Sequence, residues 1–582
     1  MAKGAFASRS LKKARRILDD LEETSIVSDL IFLENLNSWH VKFKLKLILD
    51  NNITAFPSET DWHLLIQDQE EYAAIKISPD RLNGLKTTYE HQFFNVETTD
   101  DWTSGYPCLE DFGYSLRQDS FSAQPVIIDE RLKWYVERLI DWCKRASQNA
   151  LSKDGDNFEL PMFYLNPTGI LVINESVEDF SNTWNTNKEM FGSALLNFSM
   201  NKFFLINILN IKGEFIRNCV EPKRLVPMTN EVALEVPGVW IKLNKVPVYE
   251  NWSVVKTWKE LNKISSDEGI NLSLLIDKIY PSLKKSLPIP FLVAFPISKL
   301  KGGEKALMHI QAFVLPPPKV LAKTIRKEFG KQNKVKALMS GLENITLDWM
   351  TTENWNWKES SGRGQLKHIC NKKVLLVGAG ALGGFLAEAF VRGGVSEITI
   401  VDNDILRFGN LTRHLLDASS VGKYKSQEVA NYLRKININV KVNFFNLSFE
   451  DFIRTESVAG YDLIADASAS DSVLNQISKL GKINFFSTAI GFKAENLFLI
   501  FSQAEEVVLE NIYSVFRATI DLEKIKAEKE GFPTEGIGCW HPVFPADISD
   551  IMLAASLSLK WLEGMYNKNE NRIAVIPISK II

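Results

Sequence analysis

Apolar and polar residues alternate from Trp39 to Leu49. That period of two predicts a strand with one face in a core and the other in water. Trp62–Ile66 and Tyr72–Ile77 predict further strands. Leu11–Glu23 and Asp129–Ala150 read as helices, the second with Leu132, Tyr135, Leu139 and Trp142 on one face. Between the strands and the second helix lies a loop-rich stretch, Thr87–Gly113. Helix, strand meander, loop and helix make an α+β pattern over residues 1–160.

Residues 161–345 mix strand patterns (Gly169–Ile173, Phe203–Ile211, Val239–Leu243, Phe291–Phe295, His309–Leu315) with helical stretches. Lys301-Gly302-Gly303 and Pro316-Pro317-Pro318 punctuate the end of this region. It carries no phosphate-loop motif and reads as a scaffold. Residues 346–582 alternate strands and helices. Lys373–Val377 is nearly all apolar, as a parallel strand buried on both faces should be. Glu397–Val401, Val440–Phe445, Asp462–Ala465 and Lys482–Phe486 follow as strands, with a helix at Gly384–Arg392, predicting a doubly wound sheet. The fold class expected is therefore multidomain α/β and α+β.

Composition narrows the classes. A chain of 582 residues with 45% hydrophobic and 24% charged residues is ordinary for a soluble globular protein of about three or four domains. A net charge of -3 gives no sign of a nucleic-acid partner. No apolar run approaches the roughly 18 residues of a membrane span, so no membrane partner is expected. Five scattered cysteines without a C-x-x-C pair point to a reducing cytoplasm and away from disulfides or a structural zinc.

Gly378-Ala379-Gly380-Ala381-Leu382-Gly383 is a G-x-G-x-x-G between a predicted strand and a predicted helix. The first glycine allows a tight turn, the second lets phosphates approach, and the third lets helix and strand pack closely. The free N–H groups of the helix start attract an anion. Asp402, nineteen residues after Gly383, stands where a carboxylate holds ribose hydroxyls. Alone, this set reads as a nucleotide site, most commonly for NAD or FAD. Asn403-Asp404, Asn410-Leu411-Thr412-Arg413 and Lys425 follow. Arg413 and Lys425 supply the cations that charge building on an α-phosphate requires. Asp466 ends the fourth strand, and a carboxylate there suits Mg²⁺.

These elements, in this order, resemble the ThiF/MoeB and ubiquitin-activating superfamily. The resemblance implies that Gly378, Gly380, Gly383 and Asp402 bind ATP, with Asp402 on the ribose. It implies that Asn410, Arg413 and Lys425 contact the phosphates and that Asp466 binds Mg²⁺. It also implies an upstream arginine, for which Arg363 is the candidate, and a homodimer. The paired C-x-x-C motifs of many members are absent.

A mixed anhydride made by adenylation is readily taken up by a thiolate. Cys539 lies in Gly536-Ile537-Gly538-Cys539-Trp540-His541-Pro542, a sequence expected to form an exposed, mobile loop in which His541 favours the thiolate. The charged segment Ala504–Phe532 before it is expected to form a flexible crossover, and Ile548–Met565 a helix. Cys108, in Gly105-Tyr106-Pro107-Cys108-Leu109-Glu110, follows His91-Gln92-Phe93-Phe94-Asn95. This pair of segments resembles the ubiquitin-conjugating fold, in which an H-P-N element precedes the active cysteine and its asparagine helps build the oxyanion site; here the proline is missing. Cys143, Cys219 and Cys370 read as core residues.

Together the parts resemble bacterial fusions of ubiquitin-activating and ubiquitin-conjugating enzymes, as in type II CBASS antiphage systems. The implied domains are 1–160 (conjugating-like), 161–345 (linker or inactive adenylation-like) and 346–582 (adenylation). The implied reaction joins the C-terminus of a partner, a cGAS/DncV-like nucleotidyltransferase or a ubiquitin-like modifier, to a lysine or other amine through Cys539 and then Cys108. A ligase of another ubiquitin-like operon, a sulfur-carrier adenylyltransferase and an NAD-dependent oxidoreductase stand as alternatives.

Overall fold

The computed structural model describes residues 7–68, 73–109, 125–163, 169–220, 234–279, 287–317, 342, 345–356, 358–359, 364–503, 508–536, 539–568 and 571–578. Two compact units divide the chain, with the boundary between Asn354 and Trp355.

The first unit opens with α1 (Arg9–Arg15), capped by the Ser8 hydroxyl oxygen, which accepts the Leu11 N–H at 3.0 Å. The expected helix Leu11–Glu23 breaks at Arg16 and ends at Asp20. An antiparallel meander follows: β1 (Thr24–Leu33), β2 (Ser38–Lys46), β3 (Glu59–Asp68) and β4 (Ala73–Pro79). The sequence pattern does not show β1, because its side chains alternate between exposed and half-buried and leave no clean apolar face. Helix α2 (Ile128–Ser147) sets Leu132, Val136, Leu139 and Cys143 into one core with Val41, Phe43, Trp62 and Leu64.

Polar residues also cross this meander. His40 lies 2.7 Å from His63, whose other ring nitrogen lies 2.8 Å from Asp80. Lys42 donates to the same Asp80 oxygen at 2.6 Å. Burial pushes the His63 imidazole down, and burial together with the neighbouring His63 pushes His40 down to about 4. Both rings are therefore neutral when folded, and the unfolded chain binds more protons as pH falls. For His40 the neutral ring costs nothing above about pH 6.5, and stability is lost as pH drops towards 4; His63 acts in the same direction. Thermal melts between pH 7.5 and 4.5 should show a steep loss below pH 6.5, with a shallower slope in His40→Gln; equal slopes would remove the histidines from the effect.

The middle of the unit is one eight-stranded mixed sheet. It contains β5 (Ile170–Ile173), β6 (Phe191–Ser199), β7 (Lys202–Leu209), β8 (Phe215–Asn218) and β9 (Leu234–Lys242). After a small ribbon, β10 (Val248–Glu250) with β11 (Ser253–Val254), come β12 (Ile289–Ser298), β13 (Lys305–Leu315) and β14 (Thr351–Asn354). The order is β13-β12-β9-β6-β7-β5-β14, with β8 on β7. Its central strands are buried on both faces. One face packs on helix α3 (Trp258–Asp267), and the other on Trp184 and Met350. In that second layer lies a buried ion pair: Glu175, fully buried, accepts from Arg217 and from the Trp184 indole at 2.8 Å. Burial pushes the Glu175 carboxyl up to about 7, against the pull of Arg217.

The second unit carries a seven-stranded sheet, ordered β17-β16-β15-β18-β19-β20-β23. The parallel part consists of β15 (Lys373–Val377), β16 (Glu397–Val401), β17 (Lys441–Phe445), β18 (Leu463–Asp466) and β19 (Phe485–Ile490). This is the expected doubly wound arrangement, and β20 (Asn496–Ser502) and β23 (Arg572–Pro577) extend it by two antiparallel strands at one edge. Helices α4 (Ala381–Arg392) and α5 (Lys425–Ile436) share one core with the sheet. The charged segment expected to be flexible is largely a 22-residue helix, α6 (Leu509–Glu530). After it, the expected loop at Cys539 is a short hairpin of β21 (Thr534–Gly536) and β22 (Cys539–Pro542), pairing Gly536 with Cys539. Helix α7 (Ile548–Lys568) follows. Among the described residues no helix is long and apolar enough to cross a membrane.

Candidate active site

The register of three parallel strands assembles the site. Val377, the last residue of β15, pairs with Val401 on one side and with Asp466 on the other. The carboxyl ends of β15, β16 and β18 therefore open on one edge, where open α/β sheets bind ligands. The chain leaves β15 through Gly378 at φ +89°, and a Cβ there would lie 2.9 Å from the backbone of Ser468. A Cβ on Gly383 would come within 2.0 Å of the Gly378 carbonyl oxygen, yet one on Gly380 would meet nothing within 4 Å. Backbone closes tightly around Gly378 and Gly383, whereas the space beside Gly380 is open. Gly380→Ala should keep the melting temperature within about 1 °C while weakening nucleotide binding about tenfold, because the methyl group meets no protein atom and projects into the open cleft. Gly383→Ala should instead unfold the glycine loop. Equal melting losses in the two variants would refute this division of roles.

Asp402 follows β16. One carboxylate oxygen accepts the Ala379 N–H at 2.6 Å and the other the Asp404 N–H at 2.7 Å. It thus holds the glycine loop and keeps lone pairs for a sugar hydroxyl. Lys425 begins α5; its ammonium group binds Asp404, and its N–H donates to the Asp404 carbonyl at 2.9 Å. Asn410 lies in a 3₁₀ turn, Phe408–Thr412, and its side-chain oxygen accepts the Arg407 N–H at 3.0 Å. Arg413 caps the turn and donates to the Phe544 carbonyl at 3.3 Å. Asp466 is 1% exposed. One of its oxygens accepts from the N–H and hydroxyl of Ser468, and the other from the Ser487 hydroxyl at 2.8 Å. Burial pushes its carboxyl upward, a tension that a dication would relieve.

Two clefts meet here. One, of ≈ 430 Å³, is lined by Gly378, Gly380, Asp402, Asp404, Lys425 and Ser468. The other, of ≈ 240 Å³, is lined by Asn410, Arg413, His414, Lys425, Thr488 and Phe544. Lys425 borders both and so sits at their junction. The first has glycine backbone and carboxylates suited to a nucleotide. The second has cations suited to an acidic group, beside apolar walls.

His414 is a site residue that the motif reading missed. Its Nε2 lies 2.9 Å from the Ala379 carbonyl oxygen, and its Nδ1 accepts the Leu416 N–H at 3.1 Å. Both contacts require the neutral ring with the proton on Nε2, and burial lowers its pKa accordingly. It ties the Arg413 turn to the glycine loop. Its place directly after Arg413 was the only sequence signal.

In the first unit, an antiparallel bridge joins Gln92 to Pro107. On either side of it the Phe93 N–H donates to the Tyr106 carbonyl at 3.1 Å and the Cys108 N–H to the His91 carbonyl at 2.8 Å. His91 and Cys108 are thus neighbours across this bridge, and the Cys108 side chain is exposed. Asn95 is 3% exposed and donates to the carbonyls of Leu85 and Thr87 at 2.8 and 3.2 Å. It braces the loop from inside rather than offering a donor to an oxyanion. Cys143 and Cys219 are buried, as expected, and Cys370 is half-buried. Arg363 and the side chains of Cys539 and His541 lie outside the described residues.

Residues 352–571 match the ThiF family, and residues 149–355 match the family described as Cap2 central linker domain. The "ATP-dependent ubiquitin transferase-like protein Cap2" of Enterobacter hormaechei subsp. hoffmannii is 30% identical over 550 residues, covering 90% of this chain and 89% of that one. The chain belongs to the Cap2 family. It is a multidomain α/β enzyme with a Cap2 central linker domain and a C-terminal ThiF domain. More distant matches fall on short stretches. The "Adenylyltransferase and sulfurtransferase UBA4" of Saccharomyces cerevisiae is 36% identical over 108 residues, covering 18% of this chain and 24% of its own. The "Molybdopterin-synthase adenylyltransferase" of Salmonella typhimurium is 31% identical over 107 residues, covering 18% of this chain and 43% of its own.

Proposed function

We propose that this Cap2-family enzyme uses ATP to adenylate the C-terminal carboxylate of a partner protein and passes the acyl group through Cys539 and Cys108 to an amine. The observation that carries the proposal is the meeting of the two clefts at Lys425, with the glycine loop on one side and Arg413 on the other. A carboxylate oxygen attacks the α-phosphorus and pyrophosphate leaves. Lys425, Arg413 and Asn410 hold the phosphates, and Asp402 the ribose. Asp466 would hold Mg²⁺, which would neutralise phosphate charge. The Cys539 thiolate then takes the acyl group from AMP, and Cys108 takes it from Cys539. A lysine or other amine on the target attacks last. The partner we infer is a cGAS/DncV-like nucleotidyltransferase, in the antiphage setting of the family, and the enzyme acts as a homodimer. The match to Cap2 over nine-tenths of the chain supports this reading over a sulfur-carrier adenylyltransferase, whose likeness is confined to about a hundred residues.

The test is intact mass under non-reducing conditions after mixing enzyme, ATP, Mg²⁺ and the partner. A thiol-sensitive adduct absent from Cys539→Ala, and present on Cys539 in Cys108→Ala, is the expected result. AMP transfer with no adduct on either cysteine would reduce the protein to an adenylyltransferase.

A further inference from the structure

We propose that His91 is the proton-transfer partner of Cys108, and that Glu159, from the stretch matching the linker family, positions it. The inference rests on the reading that Cys108 receives the acyl group. The Glu159 carboxylate holds His91 twice: it lies 2.7 Å from Nδ1, and the same oxygen accepts the His91 backbone N–H at 3.2 Å. A carboxylate on Nδ1 places a proton there and turns the Nε2 lone pair outward as a base, the logic of a nucleophile–histidine–carboxylate triad. His91 is joined to Cys108 by the backbone hydrogen bond at 2.8 Å and stands opposite it across the bridge. The two backbones run side by side at this point, which makes the two residues direct neighbours in space. The ring is 42% exposed and Glu159 40%, so an incoming acyl group has access to both.

The other charged groups around the ring are engaged. Glu90 is held by Lys301 at 2.8 Å and by the Ser152 hydroxyl. Arg145 donates to the carbonyls of Ala150 and Leu151. The Glu159 contact, against the opposing effect of burial, raises the His91 pKa, which favours the imidazolium beside a thiolate. Lys301 and Glu159 both fall in the stretch matching the linker family, so that stretch shapes the loop carrying His91. In the step proposed, the Cys108 S–H proton passes to His91 Nε2. The thiolate attacks the carbonyl carbon of the Cys539 thioester, a new C–S bond forms at Cys108, and Cys539 leaves as the thiolate. The His91 imidazolium, paired with Glu159, keeps the proton.

The experiment uses the full-length enzyme without ATP and reads the rate of Cys108 alkylation by iodoacetamide against pH, by peptide mass spectrometry. His91 has φ +54°, a backbone that asparagine tolerates, so His91→Asn removes the titrating ring without straining the turn. The wild-type inflection should lie below the ordinary thiol value of about 8.5. It should rise by about 1–2 units in His91→Asn and by less in Glu159→Gln, with Glu159→Asp restoring most of the shift. One inflection common to all four proteins would overturn the proposal. Transfer from Cys539 to Cys108 is followed in the same set. Wild-type transfer rates in His91→Asn would overturn the His91 role while leaving the conjugation reading intact. A shifted inflection with no acyl group ever reaching Cys108 would support the His91 pair and sink the conjugation reading instead.

Discussion

Lys425→Ala should lower ATP–pyrophosphate exchange by about 10²–10³-fold, the usual loss when one fixed donor is removed from a developing charge. The side chain is 10% exposed, borders both clefts, and has one carboxylate partner, Asp404, which is 58% exposed. That ion pair holds the ammonium group at the cleft junction. Removing the lysine leaves a carboxylate that water can solvate, so the melting temperature should move little. The loss should appear in kcat as well as in the KM for ATP, because the bound triphosphate is already anionic and further charge builds on the α-phosphate and the leaving pyrophosphate as the carboxylate attacks. Arg413→Ala should act in the same direction. Exchange within threefold of wild type in Lys425→Ala would remove this lysine from the phosphates and with it the reason to read the cleft junction as the reacting centre.

Arg217→Ala should destabilise the central sheet by about 3–5 kcal/mol, the cost of leaving one half of a buried ion pair without its partner. Glu175 is fully buried and accepts from Arg217 and Trp184, while Arg217 also reaches Asp179 at 2.9 Å. Without the guanidinium, the carboxyl must take up a proton or stay charged in an apolar layer among Trp184, Met350 and the sheet. The measurement is the first transition in denaturant unfolding of the full chain, and each multidomain transition must be treated separately. Replacing both partners by apolar residues, Glu175→Leu with Arg217→Met, should cost less than either single change. A double variant that loses the sum of the two single losses would mean that the pair is not coupled.

The parallel core of the second unit was legible in the sequence. A parallel strand buried on both faces must be apolar throughout, so Lys373–Val377 shows itself, and the bounds of Glu397–Val401 match as well. The glycine loop is legible because Gly383 lies 2.0 Å from a carbonyl once a Cβ is added; no other residue fits. Asp402, Arg413 and Lys425 lie in the one stretch that follows β16, and Asp466 ends β18, so the parallel strands bring all four towards one edge. Spacing along the chain then stands in for distance in space.

Other features had no such local expression. The antiparallel turn of β20 and β23 onto a parallel sheet depends on which edge is open, and both hydrogen-bonding patterns accept the same apolar strands. β1 half-buries its side chains, so its period is faint. The contacts of Glu175 with Arg217, of His63 with Asp80, and of Glu159 with His91 join residues many positions apart. A charged residue in sequence looks the same whether water or a buried partner satisfies it. The strand–glycine–helix core and the order of its polar residues can be read along the chain, because backbone sterics and two-sided burial leave few residue types allowed. The folded arrangement alone settles which buried charges are paired, that His414 ties the Arg413 turn to the glycine loop, and that a residue of the linker stretch stands beside His91. Those choices are made by desolvation and long-range packing, which act on neighbours in space and leave no period along the chain.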